Sequence, residues 1–304
     1  MPKITIEKRN KEDKRYSVHN KDILMRQPAD KTSWEKFDGL WKPPIKFIDS
    51  YSISINGALL DEKNMDKFIL RPWAGIHTFK LPGLDVEELC FAPDNDVGFV
   101  SVLKIVNNSD KSQEITATLS TKIDMRKSFE SIHGRKYKCD FDSIRNANIV
   151  SSENTEWKLC YGTGKSKGIL TRQTGKEQYV RSLGKDIYSP KNVQVTCEIY
   201  PGDEIVVPFV FCADDGAGKD AKTCFDKMSL NWSRLYIEKE RKFDTLKMEP
   251  NNAGKHIGLM TPDENINRAF SFALSDIEYH PNHPSTDEID IKKLLWNVFG
   301  LVEL

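Results

Sequence analysis

A chain of 304 residues, 38% hydrophobic and 30% charged, can bury one large core or two ordinary ones under a charged surface. Its 45 basic and 45 acidic side chains cancel, which removes the pull toward nucleic acid or anionic lipid that a basic excess gives. The N-terminus, MPKITIEKRNKEDKR, has no apolar stretch of signal-peptide length, and the longest strongly apolar run, Ile205 to Cys212, is interrupted by Pro208. The expectation is a soluble, cytoplasmic protein with neither nucleic acid nor membrane as a partner.

Residues 1–33 are polar and non-periodic and read as an N-terminal arm or peripheral strand. From Trp34 to about residue 220 the text changes to short segments with period-two alternation or β-branched enrichment, punctuated by turn residues. SYSISING alternates and turns at Asn56-Gly57. GFVSVLKIVNNSD ends in an Asn/Ser/Asp turn, and EITATLSTKIDM running back from it predicts an antiparallel hairpin. EWKLCYGT, GILTRQ, EQYVRSL, NVQVTCEIY and EIVVPFVFCAD follow, the last two joined at Pro201-Gly202-Asp203. No strand–helix–strand alternation interrupts this series, so the predicted class is mainly β, a two-sheet antiparallel sandwich wider than a seven-stranded immunoglobulin unit.

After ADDGAG the period switches. Phe225, Met228, Trp232, Leu235, Phe243 and Leu246 fall at helical spacings, with one polar gap at Lys239, and predict a linking helix over 221–248. Residues 249–304 begin with a spacer. A second helix then starts at Thr261, Pro262 and Glu264, which form a capping box, and carries Ile266, Ala269, Phe270, Ala273, Leu274 and Ile277 on one face.

Local motifs are weak. GTGKSKG (162–168) mimics the end of a phosphate loop, but Leu159 stands where its first glycine belongs, and a turn between strands explains it. His280 and His283 lack a third metal ligand. The acid pairs Asp94/Asp96 and Asp214/Asp215 suit solvated turns better than a glycosidase pair. Six cysteines sit singly without a C-x-x-C pair and read as reduced core thiols. No cofactor, metal site or catalytic residue is predicted. Trp34, Trp41, Arg71, Trp73 and His77 cluster in sequence. Flat aromatics beside Arg and His suit sugar rings, so Trp41, Arg71, Trp73 and His77 are candidate carbohydrate-binding residues; core or interdomain packing is the alternative.

WKPPIKFIDSYSISINGALL, then RPWAGIHTFKLPGLDVEELCFAPDNDVGFVSVLKIVN, resembles the N-terminal domain of archaeal and bacterial glycogen-debranching proteins of the amylo-α-1,6-glucosidase type. Asp124-Met125-Arg126 matches that family's Asp-x-Arg strand end, and PGDEIVVPFVF its last sandwich strand. The resemblance covers roughly residues 34–280. It implies a β-supersandwich of galactose-mutarotase-like topology, a helical linker, and the first helix of an (α/α)6 barrel that is cut short here. No position matches the family's catalytic carboxylates. The implied role is a non-catalytic domain that supports a barrel domain or subunit and contacts α-glucan or oligosaccharide. A stand-alone binding module and a mutarotase-like enzyme using His77 or His133 are the alternatives.

Overall fold

The computed structural model describes residues 6–8, 15–127, 135–164, 169–182, 185–218 and 220–248. Along them run β1 (Ile6–Lys8), β2 (Arg15–His19), β3 (Leu24–Pro28), β4 (Gly39–Lys42), β5 (Ile45–Ile55), β6 (Ala58–Leu59) and β7 (Met65–Arg71). β8 (Ala74–Leu81), β9 (Leu84–Phe91), β10 (Gly98–Asn107), β11 (Gln113–Lys127), β12 (Tyr137–Asp142) and β13 (Ala147–Ser152) follow. β14 (Lys158–Gly162), β15 (Leu170–Thr174), β16 (Gln178–Ser182), β17 (Lys185–Ser189), β18 (Asn192–Ile199), β19 (Glu204–Asp214) and the helix α1 (Ala221–Met248) complete them.

The strands form two antiparallel sheets. The first has the order β1-β7-β8-β9-β10-β19-β14-β13-β12, and the second β15-β18-β11-β5-β4-β3-β2, with β6 on β5 and the β16–β17 hairpin on β11. Alternation decides which side chains enter the space between them. In β11, Ile115, Ala117, Leu119 and Ile123 point inward while Thr116, Thr118 and Ser120 point out. They meet Phe99, Leu103 and Ile105 of β10 and Val207, Phe209 and Phe211 of β19 in one inter-sheet core.

The outer face of the first sheet is covered as well. Val100, Val102, Cys160, Val210 and Cys212 pack there against Phe225, Met228, Leu235 and Phe243 of α1. This double burial explains why β10 and β19 read as near-continuous apolar runs rather than strict alternations. α1 begins at the Asp220 cap, whose carboxylate accepts from the Thr223 amide at 2.9 Å. Its polar gap is filled from the sheet loops: Lys239 is buried and donates to the His19 carbonyl (2.7 Å) and the Ala92 carbonyl (2.5 Å). Burial pushes its pKa down to about 8 against the pull of Asp94.

One placement differs from the sequence reading. β10 and β11 are not a hairpin: β10 pairs with β9 and β19 in the first sheet, β11 with β5, β17 and β18 in the second. The Asn/Ser/Asp turn carries the chain across the sandwich, and the Pro201-Gly202-Asp203 turn carries it back. Buried Asn107 locks the two crossings together. Its amide donates to the Lys111 and Ile199 carbonyls (2.8 and 3.0 Å), and its carbonyl side chain accepts from the Ser109 amide and hydroxyl. Its backbone also bonds Gly202 and Asp203. Residues 15–28, expected to lie in an arm or peripheral strand, pair as β2 and β3 at the edge of the second sheet and bury Tyr16, Val18 and Met25. The Asn56-Gly57 turn is where the sequence put it, with φ of 51° and 84°.

Replacing Asn107 by Ala removes the side-chain donor to the Ile199 carbonyl of a buried residue at one crossing and the acceptor of the Ser109 and Gln113 donors at the other. We expect a loss of about 2–3 kcal/mol of stability, read from the urea unfolding midpoint, while Asn108→Ala, one residue on, changes it little.

Candidate functional site

The chemically richest cluster lies between the sheets. In the first sheet, His77 on β8 stands directly across from Glu88 on β9, and Ser101 on β10 across from Cys90, so four polar side chains share one inward patch. The second sheet answers with Tyr16 on β2, Gln27 on β3 and Tyr51 on β5. Lys31 comes from the loop after β3, with a left-handed φ of 66°. All eight are buried.

Lys31 supplies the positive charge. Its ammonium stands 3.0 Å from both carboxylate oxygens of Glu88, 2.6 Å from the Tyr51 hydroxyl and 3.0 Å from the Gln27 side-chain oxygen. Glu88 Oε1 also accepts from the Ser101 hydroxyl at 2.7 Å and lies 2.9 Å from the Tyr51 hydroxyl. Gln27 donates to the Tyr16 hydroxyl at 2.6 Å, which in turn lies 3.4 Å from His77 Nε2. His77 Nδ1 is 3.6 Å from Glu88 Oε2. Trp34 closes the loop over this network, donating to the Lys31 carbonyl at 3.0 Å and meeting Tyr51 edge-on at 5.6 Å.

The electrostatics follow from one ion pair in a dry place. Burial alone would raise the Glu88 pKa, but the Lys31 ammonium, the His77 ring and the Ser101 hydroxyl hold it at about 2. Burial, aided by the nearby Lys31 charge, lowers His77 to about 3. Burial pushes the Cys90 thiol up to about 12. At neutral pH Glu88 is thus a carboxylate, His77 a neutral imidazole and Cys90 a thiol. His77, Glu88 and Cys90 place one ligand atom each within 4.8 Å of one another, the donor types of a transition-metal site. The donor set fits an ion poorly, because Lys31 already occupies the carboxylate and would face any added cation at contact distance. For proton transfer on a sugar the pair is equally ill placed: an imidazole at about 3 is a weak base, and a hexose could reach it only by parting the sheets.

The four sequence candidates do not meet on one surface. His77 lies in the network just described, against Phe68 at 4.8 Å. Trp73 is buried beneath α1, stacked on Phe243 at 5.4 Å, and Arg71 bonds Tyr236 (2.9 Å) and Glu240 (3.3 Å) of that helix. Trp41 lies on β4 in the other sheet, its indole donating to the Phe37 carbonyl (3.1 Å), with the Lys46 and Arg126 cations 5.6 and 5.8 Å from its ring. The four side chains thus sit in three separate packing environments: Arg71 and Trp73, at the β7–β8 turn, lie against α1, His77 lies on the inner face of β8, and Trp41 lies in the other sheet. The Asp-x-Arg match is a buried pair, Arg126 Nε to Asp124 Oδ2 at 3.0 Å. Of the acid pairs, Asp94 and Asp96 anchor α1 through Lys239, Lys242 and Lys227, while Asp214 accepts from the Gly216 amide and Asp215 pairs with Lys42. His133, His280 and His283, the second helix of 261–279 and positions 165–168 of the glycine-lysine string lie outside the described residues.

Sequence reasoning passed over Lys31, Glu88, Tyr51 and Gln27. The one available signal was charge out of pattern: Glu88 occupies an inward position of β9 between Val86 and Cys90.

Among solved structures, a protein described as a kojibiose phosphorylase from the human microbiome aligns with 86% of this chain at 14% identity and a TM-score of 0.55. This chain spans 39% of that protein's length. A bacterial glucoamylase solved with acarbose aligns over 90% of this chain and 44% of its own, at 10% identity and a TM-score of 0.48. A galactose mutarotase-related enzyme from Lactobacillus acidophilus aligns over 66% of this chain and 97% of its own, at 8% identity and a TM-score of 0.37. No protein-family model and no curated protein sequence matches the chain. The phosphorylase alignment shows the fold alone: a two-sheet sandwich similar to part of that protein.

Glu88→Gln keeps the shape of the network but leaves the Lys31 ammonium buried without its counter-charge. Denaturant unfolding is expected to show a loss of about 3–5 kcal/mol, with the Lys31→Met/Glu88→Gln double variant well short of the summed single losses. Acid acts on the same groups. Unfolded, His77 takes a proton near pH 6.5 and Glu88 near 4.5, whereas folded they resist protonation until about 3 and 2. The unfolded chain therefore binds more protons across this whole range, and stability falls as pH drops from about 6.5 toward 2. Urea midpoints at pH 7.5, 5.5 and 4 read this; His77→Phe should flatten the segment between pH 6.5 and 5, above the ordinary carboxylate range.

Proposed function

We propose that this chain is a non-catalytic sandwich domain of a larger α-glucan-processing enzyme of glycogen-debranching type, working in the cytoplasm. The observation that carries the reading is the fate of the His77–Glu88 pair. These groups, which a sandwich enzyme would turn toward a sugar, face the other sheet, where Glu88 is engaged by Lys31 and Tyr51 and His77 stands against Tyr16. The outer face of the first sheet is occupied by α1. What remains is a rigid body with a helix leading away from it. The length relation to the phosphorylase, 39% of a longer carbohydrate enzyme, supports a supporting role for such a body. In this reading residues 249–304 begin the helical domain that carries the chemistry, and that domain or a separate barrel subunit is the partner. The described cysteines form no disulfide, which suits a reducing compartment.

In the assembled enzyme α-glucan meets surfaces other than Trp41, Trp73 and His77, whose rings are already packed. Purified chain is expected to release neither glucose from glycogen or isomaltose nor, with phosphate present, glucose 1-phosphate from kojibiose. Turnover that survives repurification and is abolished by Glu88→Gln at a temperature where that variant stays folded would refute the supporting role. In glycogen-containing gels, Trp41→Ala and Trp73→Ala should migrate as the parent does while losing about 3–5 kcal/mol of stability; retardation of the parent that either change removes would restore the sugar-surface reading.

A further inference from the structure

Three sulfur atoms meet beneath the first turns of α1. Cys224 and Met228, four residues apart, share one face of the helix. Cys212 rises to meet them from the outer face of β19. The Met228 thioether stands 3.6 Å from Cys212 Sγ and 3.6 Å from Cys224 Sγ, accepting a hydrogen bond from each thiol. All three side chains are buried, in a layer shared with Val100, Val210, Phe225 and a fourth thiol, Cys160, which stands across from Cys212 in the ladder. The thioether is admitted by a glycine: a Cβ on Gly98 would come within 2.7 Å of Met228 Sδ.

Sulfur side chains fill apolar layers well, and filling alone would account for any one of them. Filling asks only for volume, however, and does not require three sulfurs to converge on a point. We propose that Cys212, Cys224 and Met228 form a binding site for a soft monovalent metal ion of the Cu(I) class. Thiolate and thioether donors select that class over harder cations. Metal–sulfur bonds of about 2.3 Å in a trigonal plane would set the sulfurs about 4 Å apart, so the 3.6 Å separations need widen by only a few tenths of an ångström. Each thiol gives up its proton to solvent as the ion binds, so binding one ion releases two protons and tightens as pH rises. Burial pushes the Cys212 thiol up, so the ion must displace its proton rather than find a thiolate ready. The His77, Glu88 and Cys90 set offers no comparable site, because Lys31 holds its carboxylate.

The test is an anaerobic titration of the reduced full chain with Cu(I) held by bathocuproine disulfonate, following loss of the chelator complex's absorbance. One equivalent should be withdrawn, with affinity rising between pH 6 and 8. Cys224→Ser or Cys212→Ser should weaken binding about 100-fold and Met228→Leu, which preserves volume and lacks the donor, about 10-fold. Cys139→Ser, at the partly exposed thiol, should leave it unchanged. Circular dichroism checks the fold; if a serine variant fails it, Met228→Leu carries the decision. Failure of the chain to withdraw copper overturns the proposal, as does binding that Cys139→Ser removes and Met228→Leu keeps. These outcomes are independent of whether the chain supports a glucan-processing barrel.

Discussion

Ionised groups leave water only when each can find its opposite at contact distance with its remaining valences filled. Lys31 and Glu88 meet that condition across the middle of the sandwich, and the rest of the molecule is arranged around their doing so. Lys31 belongs to the second sheet's connections and Glu88 to the first sheet, so the ion pair fixes the spacing and the register of the two sheets together. The apolar residues around it would tolerate several slidings of one sheet on the other. The ion pair tolerates few, because a shift of one residue along β9 would turn Glu88 to the opposite face and strand the ammonium. Tyr51, Gln27, Tyr16 and Ser101 then distribute the remaining hydrogen bonds across both sheets.

A second layer of constraint acts on the far face of the first sheet. There α1 lies on apolar side chains and is oriented by charges at its margin: Lys227 with Asp96, Lys239 with Asp94, Arg145 with Asp226, and Arg71 with Glu240. The hydrophobic contact gives most of the adhesion and is non-directional. The pairs set the angle at which the helix crosses, and so the direction in which the chain leaves the sandwich. On the proposed reading, the internal salt bridge of the inner face and the helix on the outer face serve to hold the domain's shape.

Much of this was legible in order along the chain. Alternation in SYSISING and EITATLSTKIDM, the Asn56-Gly57 turn, and the change of period after ADDGAG are local properties of backbone geometry and side-chain placement, and local sequence reports them. The interior site was not legible in the same way. His77 and Glu88 are eleven positions apart in numbering yet directly opposed, because the turn between β8 and β9 sets their register. Lys31 lies in a segment that reads as a polar arm, and nothing in its neighbours announces that its ammonium enters a core. Trp73 and His77 misled for the converse reason: proximity in sequence suggested one surface, while the β7–β8 turn carries Trp73 beneath α1 and β8 presents His77 to the second sheet.

The sequence by itself determined the class of fold, the place where strands give way to helix, and the absence of a bulk charge to steer the protein toward polyanions, since each depends on composition or on short-range periodicity. Only the tertiary structure decided which strands share a sheet, that the chain crosses the sandwich at Asn107 rather than turning back in a hairpin, and which polar groups are buried together. Those depend on contacts between residues far apart in the chain, where the desolvation of a charge or the pairing of a strand edge is settled by the partner and not by the segment that carries it.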